Sequence, residues 1–559
     1  MLYAKSDPPE SINEHTEKLL RNLKILRNVY ENIVDKNPNV DERLWNLLEI
    51  ACVYHDIGKV YSPFQNIILE KLGKEKLYTT FDYESIKHEQ LSPMFIPTDD
   101  LNYTERKIIY QAIYYHHCRV HKKVNSNLVE KIIKEDILPR YDNIRSEIKY
   151  KLKDDLDCNY LGYVMGRNKI DEESEVYIKY CLLKGLLHRL DHSSSADVLV
   201  ENKTEQSLGE CTENSLKFKG YNGKNELQKF CKDNISNNIL VIGSTGIGKT
   251  EAATIWSDIG KTFFTLPIRT SINAIYDRIK FDIGYKDVGL LHSSAVDYLE
   301  EKEDKFDYHL YEQTKNLGNR VIVCTIDQIF PFVFRYNGYE KIYATLAFSK
   351  VIIDEIQAYS PEITAIILKG IKMINDIGGK FMIMTATLPR IYKDELEKMG
   401  IKFKFGEFLK PIMRHKLSIN DNSLDNDIEN IINKASGSKV LVILNKIDKA
   451  NELYLKIKEK NIENVNVLHS RFIKNDRSNK ENSIINFSKE REKTGIWITT
   501  QIVEASLDID FDYLFTEMST LDSLFQRCGR CYRSRKYEKN EPNIYVYNKN
   551  VSGIRIYIW

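Results

Sequence analysis

Two textures divide the chain. From about residue 10 to 195, apolar positions recur at helical spacing, as in HTEKLLRNLKILRNVYENI (15–33), and predict a mostly helical region. From Asn238 onward the pattern changes to short β-rich runs: NILVIG, KTFFTL, RVIVCT, KVIIDE, KFMIMT, KVLVIL, VNVLH and GIWITT. Amphipathic stretches such as INAIYDRI (272–279) alternate with them, which is the pattern of βα units on parallel sheets. About eight strands predict two such sheets in tandem, with the break between Lys404 and Asn433. Residues 198–232 are polar and carry Gly209, Gly220 and Gly223, so they read as a linker. The expected organisation is an all-α domain over 1–200, a linker over 201–232, and two α/β lobes over 233–410 and 411–559.

Length changes this picture little: 559 residues exceed a single core. A hydrophobic share of 42% and a charged share of 29% are those of a water-soluble globular chain. No apolar run is long enough to span a bilayer and MLYAKSDPPESINEH is no signal peptide, so a cytoplasmic protein without membrane contact is expected. The net charge of +1 implies no global attraction to nucleic acid, and any basic track must be local. Nine scattered cysteines read as reduced thiols. Cys528 and Cys531 form a C-x-x-C without a second pair, and the motif around them gives the better account of that segment.

GSTGIGKT (243–250) follows an apolar strand and opens a helix, the context a phosphate-cradling loop requires. Gly243, Ser244, Thr245, Gly246, Ile247 and Gly248 would bring backbone N–H groups to the phosphates, with Lys249 neutralising them and Thr250 offering its hydroxyl to Mg²⁺. KVIIDEIQ supplies the acids: Asp354 for the Mg²⁺ shell and Glu355 to activate the attacking water. TATLP (385–389) ends another strand. TTQIVEASLDIDFD (499–512) and QRCGRCYR (526–533) come later, the second carrying three arginines suited to a phosphate across a cleft.

This ordered set resembles the superfamily-two helicases. The resemblance implies two RecA-like lobes with ATP between them, Arg530 and Arg533 as arginine fingers, Gln526 facing the nucleotide, and Gln228 as a candidate for reading adenine. It also implies strand-contacting segments at LPIRTSINAIYDR (266–278), LHSS (291–294), CTIDQ (324–328) and LHSRF (468–472). Gln357 stands where many such helicases carry His or Asp.

Eight of the 12 histidines fall in the first 192 residues. HDIGK (55–59) places a nitrogen and an oxygen ligand side by side, His55 and Asp56, and His15, His88, His116, His117 and Asp191 flank it. Such ligands suit divalent transition metals, and two adjacent ions suit phosphodiester hydrolysis. Lys59 is expected to steer a substrate phosphate. Asp191 is preferred to Asp197 because it continues a helical apolar pattern, while His121, His188 and His192 read as structural. The ensemble resembles the HD phosphohydrolase superfamily.

HDIGK, KHEQLSP, YHH and LHRLDHSSSAD followed by the motor set resemble the CRISPR-associated helicase–nucleases of type I interference. That resemblance implies recruitment by a guide-RNA surveillance complex of the Cascade type at an R-loop, 3′-to-5′ movement on single-stranded DNA, and antiviral degradation of that strand. It further implies one ion on His15, His55, Asp56 and Asp191, with Asp56 bridging to a second on His88, His116 and His117. The expected cofactors are ATP with Mg²⁺ and one or two ions such as Mn²⁺, Co²⁺, Ni²⁺ or Fe²⁺. The chain is expected to act as a monomer and to lack the accessory domain that follows the last motif in such proteins. The alternatives are an RNA helicase whose HD domain hydrolyses nucleotides, and a recruitment scaffold without activity.

Overall fold

The computed structural model describes residues 1–553 apart from 34–36, 83, 85, 118–123, 205, 303–305, 411, 463, 491, 505, 506, 508 and 534. The N-terminal region is helical with one correction to the all-α expectation. β1 (Tyr3–Ser6) and β2 (Pro9–Ser11) form an antiparallel pair. Buried Gln65 holds this pair in place: Tyr3 N donates to its Oε1 (2.9 Å) and its Nε2 donates to Tyr3 O (2.8 Å). A side-chain amide thus satisfies backbone groups that would otherwise be buried unpaired.

The helix Tyr177–Ser195 is the spine of this region and is buried on nearly every side. It packs against the helices Ile12–Ile33, Glu42–Tyr54 and Tyr103–Tyr114. Its other face meets the helix Tyr339–Leu346, which belongs to the following α/β part. Gly185 makes this crossing possible, because a Cβ there would collide with Glu340 O and lie 2.5 Å from the Ala344 Cβ. A single apolar core consequently runs from Leu19, Leu47 and Leu186 through Tyr343 to Phe263 and Ile353.

A fully buried ion cluster reinforces the same junction. Arg189 Nη2 and Lys261 Nζ each lie 2.9 Å from Glu201 Oε1. All three residues have 0% exposure. Tyr30 Oη donates to Glu201 Oε1 (2.9 Å), and Leu317 O accepts from both cations.

The first α/β sheet contains β3 (Ile239–Gly243), β4 (Lys261–Leu266), β5 (Val288–Leu291), β6 (Val321–Thr325), β7 (Ser349–Asp354), β8 (Lys380–Thr385) and β9 (Lys404–Phe408). Its strands run parallel in the order β5-β6-β4-β7-β8-β3-β9. The second contains β10 (Leu417–Asn420), β11 (Lys439–Ile443), β12 (Val465–Leu468), β13 (Gly495–Thr499), β14 (Tyr513–Glu517) and β15 (Ile544–Tyr547). It is also parallel, in the order β10-β15-β14-β11-β13-β12. Interior strands such as β6 and β13 are buried at every position, as two-sided cover by helices requires.

Residues 201–232 depart from the linker expectation. They hold the helices Leu208–Phe218 and Glu226–Asp233, both packed on Lys249–Ser257. Ser207 caps the first through Glu210 N, and Asn225 with Gln228 closes a capping box on the second. The capping residues give the segment its polar texture, and the apolar stripes behind them are short. Among the described residues, no helix is long and apolar enough to cross a membrane.

Candidate metal centre and nucleotide site

The seven metal-ligand candidates of the helical region converge. His15 comes from the helix Ile12–Ile33, His55 caps Glu42–Tyr54, and Asp56 follows it. His88 opens the short helix His88–Leu91, His116 and His117 follow Tyr103–Tyr114, and Asp191 lies on the spine. Two groups form, Asp56 with His88, His116 and His117, and His15 with His55 and Asp191. In each, the ligand atoms lie within 4.8 Å of one another.

Asp56 stands between the groups. Its Oδ2 is 3.6 Å from His15 Nε2 and 3.4 Å from His55 Nε2, while its Oδ1 is 3.2 Å from His88 Nε2 and 3.8 Å from His116 Nε2. His15 Nε2 also lies 3.2 Å from Asp191 Oδ1. Every member is buried except His117, which is exposed and marks the side open to solvent.

Gly58 of HDIGK permits this convergence. A Cβ there would collide with His88 O and crowd Ser92 N at 2.8 Å, while Gly58 N donates to Ser92 Oγ (2.9 Å). The ring orientations are fixed from behind. His55 Nδ1 faces Cys52 O (3.0 Å) and His116 Nδ1 faces Ile113 O (2.6 Å). Their Nε2 atoms therefore point inward, buried and without a hydrogen bond, as are His88 Nε2 and Asp56 Oδ1. Orphaned buried nitrogens around a shared carboxylate fit divalent ions and are costly otherwise.

Charge in the centre follows from burial opposed by neighbours. Burial works against ionisation of Asp56 and Asp191, but the surrounding histidines, with Lys59 at Asp56, outweigh it and hold both well below the usual carboxylate range. Burial likewise opposes His15, yet hydrogen bonds to Asp191 and Glu10 raise it to about 9. Burial depresses His55 and His116.

Lys59, expected to steer a substrate phosphate, lies with its Nζ 2.7 Å from Asp56 Oδ2. Glu10 and Glu89, absent from the sequence-level set, lie 3.4 Å from His15 Nδ1 and His88 Nδ1. Adjacency to His88 was a signal for Glu89, whereas Glu10 reaches the site only through the β1–β2 pair. Asp197 is exposed on Lys18, His192 meets Lys341, and His188 is buried outside both groups. His121 lies outside the described residues.

The nucleotide site sits at the C-terminal end of the first sheet. The loop after β3 runs through Gly246 (φ 73°) and Gly248 (φ 89°) into the N-terminus of Lys249–Ser257, where unpaired backbone N–H groups suit a phosphate. Lys249 Nζ lies 3.1 Å from Glu355 Oε1. Asp354 ends β7, and its Oδ1 is buried without a hydrogen bond, which fits a Mg²⁺ shell. Burial and the Glu355 charge push Asp354 up; burial also opposes Glu355, but Lys249, Gln357 and Thr385 keep it ionised.

Glu355 takes a left-handed backbone (φ 54°), and Gln357 Nε2 donates to its Oε2 (2.5 Å). The Thr385 hydroxyl of TATLP lies 3.1 Å from the same oxygen and 2.6 Å from Gln357 Oε1. Gln357, Thr385 and Glu355 thus form one network. Gln228 borders the loop, its Nε2 being 3.1 Å from where a Gly248 Cβ would be.

The second lobe brings the helix Leu521–Cys528 to this loop. A Cβ on Gly529 would lie 3.8 Å from Thr245 Cγ2, and Thr387 Oγ1 is 3.4 Å from Asp522 Oδ1. Half-buried Gln526 is on the same helix. Arg530 donates to the carbonyls of Glu504 (2.6 Å) and Leu507, and Arg533 to Leu507 O (3.3 Å). Arg527, counted among the three phosphate-facing arginines, is instead 1% exposed. It is locked to Glu504, Thr516 and Asn445 inside the lobe, on the helix face that packs inward. Of the segment 499–512, residues 505, 506 and 508 lie outside the described set. Cys528 and Cys531 are buried free thiols outside both ligand groups.

Comparison with known proteins bears on both halves. The family model for DEAD/DEAH box helicases matches residues 225–395, and that for the C-terminal part of the CRISPR-associated nuclease/helicase Cas3 matches 436–536. A CRISPR-associated nuclease/helicase Cas3 from Methanothermobacter thermautotrophicus is 26% identical over 98% of this chain and 74% of its own length. Other curated relatives of that kind match 53–56% of this chain and 39–46% of theirs. Among solved structures, T. fusca Cas3 with ATP superposes with a TM-score of 0.70 at 17% identity, covering 98% of this chain and 75% of that one. A chain of a "CRISPR RNA-guided surveillance complex, pre-nicking" gives a TM-score of 0.60 at 16% identity, covering 96% and 72%. Over nearly its whole length the chain is thus similar to CRISPR-associated nuclease/helicases, and these matches mark it as an ATP-dependent helicase joined to a nuclease.

Proposed function

We propose that this chain degrades foreign single-stranded DNA in type I CRISPR interference. Residues 1–200 are the HD-type nuclease module, and 233–410 and 411–559 are the RecA-like lobes, the first extended upstream by the two helices of 201–232. The lobes hydrolyse ATP with Mg²⁺ and move 3′ to 5′ along the strand. A guide-RNA surveillance complex of the Cascade type is the recruiting partner, and the chain works as a monomer. The likeness to a chain of such a complex supports this partner.

The observation that carries the reading is the pair of ligand groups sharing Asp56, in a module whose core is continuous with the first lobe. His15, His55, Asp56 and Asp191 would hold one ion, and Asp56 with His88, His116 and His117 a second, chosen from Mn²⁺, Co²⁺, Ni²⁺ or Fe²⁺. Bound ions supply an activated water and neutralise charge on the phosphate. The carbonyls of Cys52 and Ile113 hold the rings ready, and Asp56 stays ionised for both groups. At the motor, Lys249 and the loop amides bind phosphates, Glu355 polarises the attacking water through its lowered carboxylate, and Arg530 and Arg533 are the fingers.

ATP hydrolysis measured with single-stranded DNA against RNA, with Lys249→Ala alongside, tests the motor reading. Stimulation by DNA that Lys249→Ala abolishes supports it. Stimulation by RNA alone would replace it with an RNA helicase whose HD module acts on nucleotides.

A further inference from the structure

The segment joining the two sheets lies across the phosphate loop. Lys410 N donates to Ser244 Oγ (3.0 Å) and Lys410 Nζ to Gly246 O (3.2 Å). Four residues on, Arg414 Nη1 donates to Thr245 Oγ1 (2.9 Å) and to Arg533 O (2.6 Å). His415 Nε2 then meets Cys531 O (2.8 Å). Lys410, Arg414 and His415 therefore bridge the loop of the first lobe and the arginine motif of the second.

The partners of Arg414 do not match its charge. A half-buried guanidinium ordinarily finds a carboxylate, because desolvated charge is costly when opposed only by neutral dipoles. Among the described residues Arg414 has no carboxylate within 4.0 Å, and both oxygens it holds are neutral. Burial and the adjacent Arg533 cation both act against its charge. Two nearby cations are matched, Lys249 by Glu355 and Arg535 by Asp510 and Asp512, whereas exposed Lys410 meets the Gly246 carbonyl. A permanently charged fork without an anion, on a phosphate-binding loop and beside an expected arginine finger, is arranged for a ligand that carries the missing negative charge.

We propose that Arg414 is a nucleotide-contacting residue that binds the end of the ATP triphosphate facing the second lobe. This rests on the ATP-site reading above. Its hydroxyl partner Thr245 gives way to a phosphate oxygen, while the bond to Arg533 O ties the arginine motif to the occupied loop. The consequence is selectivity for triphosphate over diphosphate, and closure of the cleft that depends on the terminal phosphate.

The test is equilibrium binding of a non-hydrolysable ATP analogue and of ADP to the full chain, for wild type, Arg414→Met, Arg414→Lys and Lys249→Ala. Losing one charged hydrogen-bond donor to phosphate is expected to weaken the analogue by about 10- to 100-fold. ADP is expected to weaken by less than about threefold. Arg414→Lys retains the charge and is expected to recover part of the analogue affinity, and it serves as the readout if Arg414→Met fails to fold. Equal weakening of both nucleotides, or none, while Lys249→Ala loses both, would overturn the role of Arg414 alone. Unaltered binding by Lys249→Ala would instead remove the ATP-site reading beneath it.

Discussion

Glu201→Gln offers the sharpest perturbation of how the helical N-terminal region is fixed to the first α/β lobe. Glu201 is the carboxylate among Arg189, Lys261 and the Tyr30 hydroxyl, and it is fully buried with both cations. Neutralising it leaves two buried positive charges held by Val200, Leu317 and Asn319 carbonyls. Removing one partner of a buried ion pair costs about 3–5 kcal/mol. Arg189 cannot shed its proton, so Lys261, already depressed to about 8 by burial, is the group that must. The continuous core makes one folding unit of about 400 residues, for which that loss lowers the first thermal transition by roughly 3–6 °C. Differential scanning calorimetry of the whole chain reads it. The triple variant Arg189→Met, Glu201→Leu, Lys261→Met should regain much of the loss, because apolar packing replaces the whole cluster. A shift below about 2 °C for Glu201→Gln would refute the reasoning, since the cluster would then not be desolvated.

Further outcomes are expected. Lys249→Ala should abolish ATP hydrolysis and leave metal-dependent cleavage of single strands, and Asp56→Ala should do the reverse; loss of both activities in either variant would contradict separable sites. Gly58→Ala should push His88 off Asp56 and lower the bound metal, measured by mass spectrometry of the desalted protein, from two ions per chain towards one; unchanged stoichiometry would count against the close approach at His88 O. Because Lys261 titrates near 8 when folded and at 10.5 ordinarily, the unfolded chain binds the extra proton between those values. Denaturant stability should therefore rise from pH 8 towards 10, more steeply in wild type than in Lys261→Met, and equal slopes would exclude the depressed lysine.

Local motifs were the legible part of the sequence. GSTGIGKT, DEIQ and HDIGK each declare themselves because loop, strand end and ligand pair are contiguous in the chain. The ligand ensemble was legible only as an ordered set, since His15 and Asp191 meet across 176 positions. What stayed hidden depends on long-range packing. The Arg189–Glu201–Lys261 cluster joins a helix, a connection and a strand with no local pattern to announce it. Arg414 reads as an ordinary surface cation until the loop beneath it is placed. β9 (KFGEF) and β10 (LSIN) escaped because edge strands need not be apolar throughout: Leu417 and Ile419 are exposed, and Gly406 interrupts β9. The helices of 201–232 were masked by the polar caps that start them.

The central claim, that the ligand groups around Asp56 form a DNA-cleaving metal centre, is tested most directly with metal-stripped protein and circular single-stranded DNA. Mn²⁺, Co²⁺, Ni²⁺ or Mg²⁺ is added in turn, with wild type and Asp56→Ala side by side. Cleavage that appears with a transition metal in wild type and is absent from a folded Asp56→Ala protein is the predicted result. A metal-loaded, folded wild type that leaves the circle intact with every ion, or an Asp56→Ala variant that cuts as well as wild type, would contradict it.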